Sequence, residues 1–196
     1  MRVLIACECS GIVRDAFRAR GHDAVSCDLK PSQTPGPHYQ CDVREILHET
    51  WDIMIAHPVC RYLTNAGVRW LYERPGRWEA MREAAAFFLL LERADHIPQR
   101  CVENPIMHRH AIEIIGRKAS QYIQPWQFGD PFQKATGLWL TNLPPLRPEQ
   151  QKADWPAGAI RQDVWLMPPS ADREEKRSLT YPGIARAMAE QWGNRT

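Results

Sequence analysis

Short uninterrupted apolar runs alternate along this chain with stretches of helical period, and that alternation sets the fold class. Val3-Leu4-Ile5-Ala6 is the first run, of strand length, and it leads into Glu8-Cys9-Ser10-Gly11. Ile12, Val13, Ala16, Phe17 and Ala19 then share one face against Arg14, Asp15, Arg18 and Arg20, which predicts an amphipathic helix. Ser10 is placed to cap that helix, Gly11 to let backbone approach closely, and Gly21 to stop it. Ala24-Val25-Ser26-Cys27 is a second run, closed by Asp28. The opening of the chain therefore reads β-α-β with an acid at the end of the second strand.

Lys30 to His38 contains Pro31, Pro35, Gly36 and Pro37 and reads as a loop. Tyr39-Gln40-Cys41 is a short strand leading to Asp42, which suits a cap for a helix starting at Val43 and equally a contact to a bound nucleoside. Residues 51–57 form the next strand, which ends in His57-Pro58-Val59-Cys60. Ligands in open α/β sheets collect beyond the carboxyl ends of strands, so Cys60 is a candidate nucleophile there. His57 reads as a packed strand-end histidine rather than a base. From Arg61 to Gly76, Tyr62, Arg69, Trp70, Tyr72 and Arg74 interleave aromatic and basic groups in a loop. That composition suits base stacking and phosphate contact, and equally a plain surface loop.

Arg77 to Ala94 is a long helix with Met81, Ala85, Phe88 and Leu89 on its apolar face. Gln99 to Glu103 is a strand with Asn104-Pro105 behind it, which places a carboxylate where Cys60 stands on the preceding strand. Ala111 to Lys118 reads as a helix, and Tyr122–Phe128 and Gly137–Leu143 as two closing antiparallel strands. Pro144 to Pro169 is proline-rich, 173–178 is charged, and Pro182-Gly183 introduces a final helix ending at Trp192.

The 196 residues fit one catalytic domain over 1–196, and 44% hydrophobic with 24% charged residues is ordinary globular composition. A net charge of +2 permits a nucleic-acid partner without demanding one. No apolar stretch has membrane-spanning length; Phe87 to Leu91 is short and lies in a charged pattern. The N-terminus runs straight into a strand, so no signal peptide is expected. The six cysteines lack framework spacing, which points to free thiols in a reducing cytoplasm. Cys7-x-Cys9 and His108-x-His110 lack the spacing of a zinc site, and no metal is expected.

An acid at the end of the second strand suits the ribose of a nucleoside-bearing cofactor, while the absence of G-x-G-x-x-G disfavours a dinucleotide. With Ala6 to Gly11, Asp28, Asp42, Pro58-Val59-Cys60, Glu103-Asn104-Pro105 and 180–192 in this order, the chain resembles the S-adenosylmethionine-dependent DNA (cytosine-5) methyltransferases, in their compact phage-type form. The resemblance implies a class I methyltransferase-like (Rossmann-like) fold, a seven-stranded, mainly parallel sheet with helices on both faces and a reversed final strand. It implies S-adenosylmethionine (S-adenosyl-L-methionine) held by Glu8, Cys9, Ser10, Gly11, Asp28, Leu29, Asp42, Val43 and Pro58. It assigns attack on cytosine C6 to Cys60, interaction with N3 to Glu103 and positioning to Asn104. Arg61, Arg69, Trp70, Lys134 and Thr136 would hold the substrate, with Lys134 standing in for an arginine motif. The implied partner is DNA with its target base flipped out or single-stranded. RNA, a free cytosine nucleotide, or binding without catalysis are the alternatives. Two departures stand out: Val59, where the family has proline, and an irregular 144–180 in place of a large target-recognition domain. A phage-encoded enzyme would work in the cytoplasm of a bacterial host.

Overall fold

The computed structural model describes residues 1–162 and 179–194. The charged run 173–178 and the later part of the proline-rich segment lie outside the described residues. Seven strands form one sheet: β1 (Arg2–Ala6), β2 (Asp23–Asp28), β3 (His38–Gln40), β4 (Ile53–Ala56), β5 (Gln99–Pro105), β6 (Gln121–Ile123) and β7 (Thr136–Thr141), in the order β3-β2-β1-β4-β5-β7-β6. Every neighbouring pair is parallel except those made by β7, which runs against β5 and β6. This Rossmann-like order with a single reversed strand is the class I methyltransferase fold, as the family resemblance implied.

The apolar runs are unbroken because both sheet faces are covered. Val3, Ile5, Ile53 and Ile55 meet α1 (Ile12–Ala19) and the last described helix, α5 (Pro182–Trp192). Leu4, Ala6, Met54 and Ala56 point the other way, into the core shared with α3 (Arg77–Glu92) and α4 (Arg109–Ile115). Each of these large aliphatic side chains, fully withdrawn from water, contributes roughly 1.5–3 kcal/mol.

Several boundaries differ from the sequence pattern, each for a local reason. The stretch after Ile123 is a 3₁₀ turn, Pro125–Phe128, since Pro125 has no amide for a strand ladder. The helix predicted from Ala111 to Lys118 spans Arg109–Ile115, started by the His108 side chain and stopped by Gly116 at φ 83°. The helix expected after Asp42 is one 3₁₀ turn, Val43–Glu45, and the loop after Cys60 contains a short helix, α2 (Trp70–Glu73). On α3 the fully buried positions are Met81, Ala85, Phe88 and Leu91, with Leu89 only partly covered. The N-cap position of α1 is Gly11, at φ 79°, and Ser10, one residue earlier, accepts the Ile12 amide through its hydroxyl at 3.2 Å. Strand β5 runs past Glu103 because β7 pairs with it as far as Pro105 opposite Thr136.

Helix α5 closes against the 125–130 turn. The Gly183 amide donates to the Asp130 carboxylate at 2.8 Å, and a Cβ on Gly183 would sit 2.0 Å from the Phe128 carbonyl oxygen. Only glycine allows that approach, which sets the first turn of α5 beside the ends of β4 and β5.

Candidate active site

Strand order reverses between β1 and β4, and a crevice opens at such a switch point beyond the strand ends. The chain leaves β1 through Cys7, which adopts φ 59°, and re-pairs at once: the Glu8 amide donates to the Cys27 carbonyl at 3.0 Å. Glu8 is 6% exposed. Its Oε1 accepts from the Ser10 hydroxyl and from the Ile12 amide, while Oε2 is buried with no hydrogen-bond partner among the described residues. A carboxylate half satisfied at the mouth of the switch point is an acceptor waiting for a donor, such as the ammonium of an amino-acid-bearing ligand.

Asp28 ends β2 with Oδ1 accepting from the Lys30 amide at 2.9 Å, and Leu29 beside it is 72% exposed. Asp42 takes the capping role: Oδ1 accepts from the Arg44 amide at 3.0 Å, with Glu45 completing a capping box. Val43 is buried in the core and Cys9 holds the neighbouring loop by accepting the Gln33 amide at 2.8 Å. Beneath them Cys7, Cys27 and Cys41 share apolar surroundings. Burial, helped by Asp28, pushes the Cys7 thiol far up, and burial with Cys41 pushes Cys27 up to about 12. Cys7 and Cys27 are therefore neutral floor rather than nucleophiles.

The sequence pattern places Arg14 on the polar face of α1, yet it is fully buried. Its guanidinium donates to Asp15, Ser26, Ser32 and Thr34 side chains and to the Pro35 carbonyl. One side chain thus ties the proline-rich loop to the helix that opens the crevice.

On the other side of the switch point, His57 and Glu103 continue the register that pairs Ala56 with Val102. His57 Nδ1 lies 3.6 Å from Glu103 Oε2, an ion-pair separation longer than a hydrogen bond. Both His57 ring nitrogens are buried without a hydrogen-bond partner among the described residues. Lys134 and Thr136, from the start of β7, complete the surroundings, and Thr180, Tyr181, Ile184 and Met188 form the far wall. The cavity they enclose is about 10 Å³, room for a single water. Burial pushes the Glu103 carboxyl up, but His57, Lys134 and Thr136 together outweigh it and hold the group below the ordinary carboxylate value. Lys134 also donates to the Leu179 carbonyl at 3.0 Å, so its ammonium serves this cavity. Asn104 is fully buried; Nδ2 donates to the Pro105 carbonyl at 2.7 Å while Oδ1 has no partner.

Cys60 stands beyond buried Pro58 and Val59, which is 55% exposed. Its carbonyl accepts the amides of Leu63 and Thr64 and so begins a tight turn. Cys60 does not line the Glu103 cavity, so the two predicted catalytic side chains share a strand-end surface without sharing this closed pocket. After the turn, the guanidinium groups of Arg61 and Arg77 lie 4.9 and 4.2 Å from the Tyr62 ring centroid, and those of Arg69 and Arg74 lie 4.1 and 3.9 Å from that of Trp70. Four cations on two rings form a surface for phosphates. With two guanidiniums packed on Trp70, a base would have to displace one to stack there.

His108 locks this surface to α4. Its Nδ1 accepts the Ala111 amide at 3.1 Å and Nε2 faces the Tyr62 carbonyl at 3.0 Å, which requires the neutral ring with its proton on Nε2. Burial, with His110 and Arg77 adding, lowers its pKa below the ordinary 6.5. Protonation therefore favours the unfolded chain: the stabilisation is complete above pH 6.5 and is lost as pH falls through the lower folded value. Thermal melts of the wild type should lose ground from pH 7.5 to 5.5, and His108→Asn, which keeps a cap without titrating, should lose less. Equal losses would remove His108 from this role.

Of the predicted residues, the structure brings Glu103, Lys134 and Thr136 together, and Glu8, Ser10 and Gly11 together at the β1 turn. His57, read as mere packing, sits against Glu103. Its place one register step beyond β4, level with Glu103, was the signal for it.

No family model matches the chain, and no curated protein does. Among solved structures, the Entamoeba histolytica methyltransferase EhMeth is similar with a TM-score of 0.45 and 13% identity, over 77% of this chain and 55% of that one. A mutant of Spodoptera frugiperda DNMT2 is similar with a TM-score of 0.43 and 13% identity, over 76% and 53%. The chain spans about half the length of these proteins.

Proposed function

We propose that the chain binds S-adenosylmethionine in the β1–β2 crevice and methylates C5 of cytosine carried on nucleic acid, through a transient bond to Cys60. The observation that carries the reading is the placement of the Glu8 acceptor just after β1, the Cys60 turn just after β4, and Glu103 on the neighbouring β5 level with His57. The residues fit the cofactor: Glu8 Oε2 would take its ammonium, Asp28 its ribose, and exposed Leu29 would cover its adenine. When bound, S-adenosylmethionine supplies an electrophilic methyl group on sulfur.

The chain's own residues would supply the rest. C5 of cytosine is a poor nucleophile until a thiolate adds at C6, and Cys60 takes that part. Addition puts negative charge on N3, which takes up a proton from water, and the Glu103 carboxylate, on the next strand, accepts hydrogen bonds from the resulting N3–H and the exocyclic amine. Asn104 holds the strand end that carries it. Transfer of the C5 proton to a water molecule and expulsion of the Cys60 thiolate restore the ring. The arginines on Tyr62 and Trp70 would carry the flanking phosphates. Because the Glu103 cavity has room for only one water, a base edge reaches this carboxylate when the Thr180–Tyr181 wall moves aside.

Incubation with 5-fluorocytosine-containing DNA or RNA oligonucleotides and S-adenosylmethionine should trap a covalent complex, and Cys60→Ser should abolish it. The 5-fluoro group cannot leave as a proton would, so the thioether persists. Asp28→Ala should weaken S-adenosylmethionine in calorimetry. A second reading, cofactor and nucleic-acid binding without catalysis, is favoured by exposed Val59 before the thiol and by the separation of Cys60 from the Glu103 cavity. Cofactor binding with no adduct on either nucleic acid would select it; no cofactor binding would overturn both.

A further inference from the structure

The strand pairing of Phe132 with Arg161 folds residues 149–162 back over the 124–133 segment and leaves a cleft of about 440 Å³ between them. Neither the cofactor crevice nor the Glu103 cavity uses it. Its lining residues include two tryptophans, Trp126 and Trp155, three glutamines, Gln124, Gln133 and Gln162, and Lys152. The size is that of a small-molecule site.

We infer that this cleft binds one unpaired nucleobase next to the target cytosine, so that the substrate is a strand rather than a free nucleotide. The inference rests on the function proposed above and narrows its substrate.

The walls are fixed before any ligand arrives. The Trp155 indole N–H donates to the Trp126 carbonyl at 3.1 Å, and the Gln133 amide donates to the Arg161 carbonyl at 2.8 Å. These bonds seat Gln133 beside Gln162, whose Nε2 donates to Gln133 Oε1 at 3.4 Å. That contact leaves Gln133 Nε2 as a donor and Gln162 Oε1 as an acceptor with no partner among the described residues. A donor and an acceptor side by side match the alternating edge of a base, and an indole face stacks on any base. Lys152, exposed at the rim, can take a phosphate.

Connectivity ties the cleft to the catalytic surface. Gln133 directly precedes Lys134, whose charge acts on Glu103, and the Lys134 amide donates to Gln124 Oε1 at 2.9 Å. One short segment is therefore shared by both places. A free nucleotide fills only one of them, whereas a strand fills both.

The experiment uses the full chain and labelled single-stranded oligonucleotides with one target cytosine and an abasic position moved stepwise along either flank. At one fixed offset the missing base should weaken binding by about five- to 150-fold, the range for loss of one stacked base, and other offsets should matter little. Gln133→Ala with Gln162→Ala, both on exposed side chains, should remove preference among the four bases at that offset. Trp155→Ala should abolish the offset effect, but it also loses the bond to Trp126, so the carboxamide pair is the decisive variant. Uniform sensitivity along the strand, or an unchanged base preference in the double variant, overturns the inference while leaving adduct formation intact. Absence of both adduct and oligonucleotide binding would instead overturn the parent reading.

Discussion

Replacing Glu103 with glutamine is expected to lower methyl transfer by about 10²- to 10⁴-fold, the usual contribution of a positioned acid–base group. S-adenosylmethionine affinity should be unchanged, since the cofactor crevice lies on the β1–β2 side of the sheet. The substitution keeps the shape of the side chain and removes its charge. In the resting protein that charge is maintained by His57, Lys134 and Thr136 against the opposing effect of burial. An ionised Glu103 orients the amino edge of cytosine as an acceptor-only group; glutamine presents a donor there and disfavours the same pose. Single-turnover kinetics with cytosine oligonucleotides would measure the loss, and calorimetry the cofactor affinity. A fall of only a few-fold would place Glu103 outside the reacting edge. The same change has a signature in stability. Because the folded pKa is depressed, the Glu103 contribution is present above the ordinary value of 4.5 and is lost as pH falls through the folded value. Glu103→Gln should therefore flatten the acid side of the stability profile.

Arg14→Ala is expected to be the costliest single change to the fold, at about 3 kcal/mol. Hydrogen bonds to a charged group contribute roughly 1.5–3 kcal/mol, and Arg14 makes several inside the protein. The ion pair to Asp15 adds little, since Asp15 is half exposed. The rest comes from the empty space under the 30–38 loop, where Gly11 and Gly36 both approach the guanidinium too closely for a Cβ. Denaturant titration should show the loss. Hydrogen exchange should show it concentrated in 30–38, with weaker S-adenosylmethionine binding as a consequence. Arg14→Lys keeps the charge but loses the planar fork, and it should recover only part of the stability. A loss below about 1 kcal/mol, the level of an ordinary surface change, would show that the loop holds itself.

The two residues differ in how visible they were. Glu103 was readable as a carboxylate closing an apolar run before Asn104-Pro105, although β7 pairs with the chain beyond it and carries β5 on to Pro105. Arg14 was not. Its helical position put it with Asp15 and Arg18 on the polar side of α1, and solvent is the default neighbour of such a face. The 30–38 loop folds over that face and supplies oxygens in place of water. His57 shows the same limit more closely. Its position at the end of β4 was evident, but its role against Glu103 depends on which strand lies next to β4.

Phe132-Gln133-Lys134 shows what patterning cannot carry. Lys134 looked like a phosphate-binding substitute for an arginine, and in the structure its ammonium donates to the Leu179 carbonyl beside the cavity that holds Glu103. The neighbouring cleft, with Trp126, Trp155 and three glutamines, had no periodic signal at all, because its walls come from segments paired only through an isolated bridge.

The sequence by itself determined the α/β class, the positions of Glu8, Asp28 and Cys60 at or just beyond the ends of their strands, the presence of Glu103 on the fifth strand, and the closing antiparallel pair. These follow from runs of apolar residues and the turns that end them, which are local. Only the tertiary structure decided that His57 faces Glu103, that Arg14 is buried, and that Cys60 stands apart from the cavity around Glu103. Each depends on long-range strand order and loop closure, where one element supplies the neighbour another lacks.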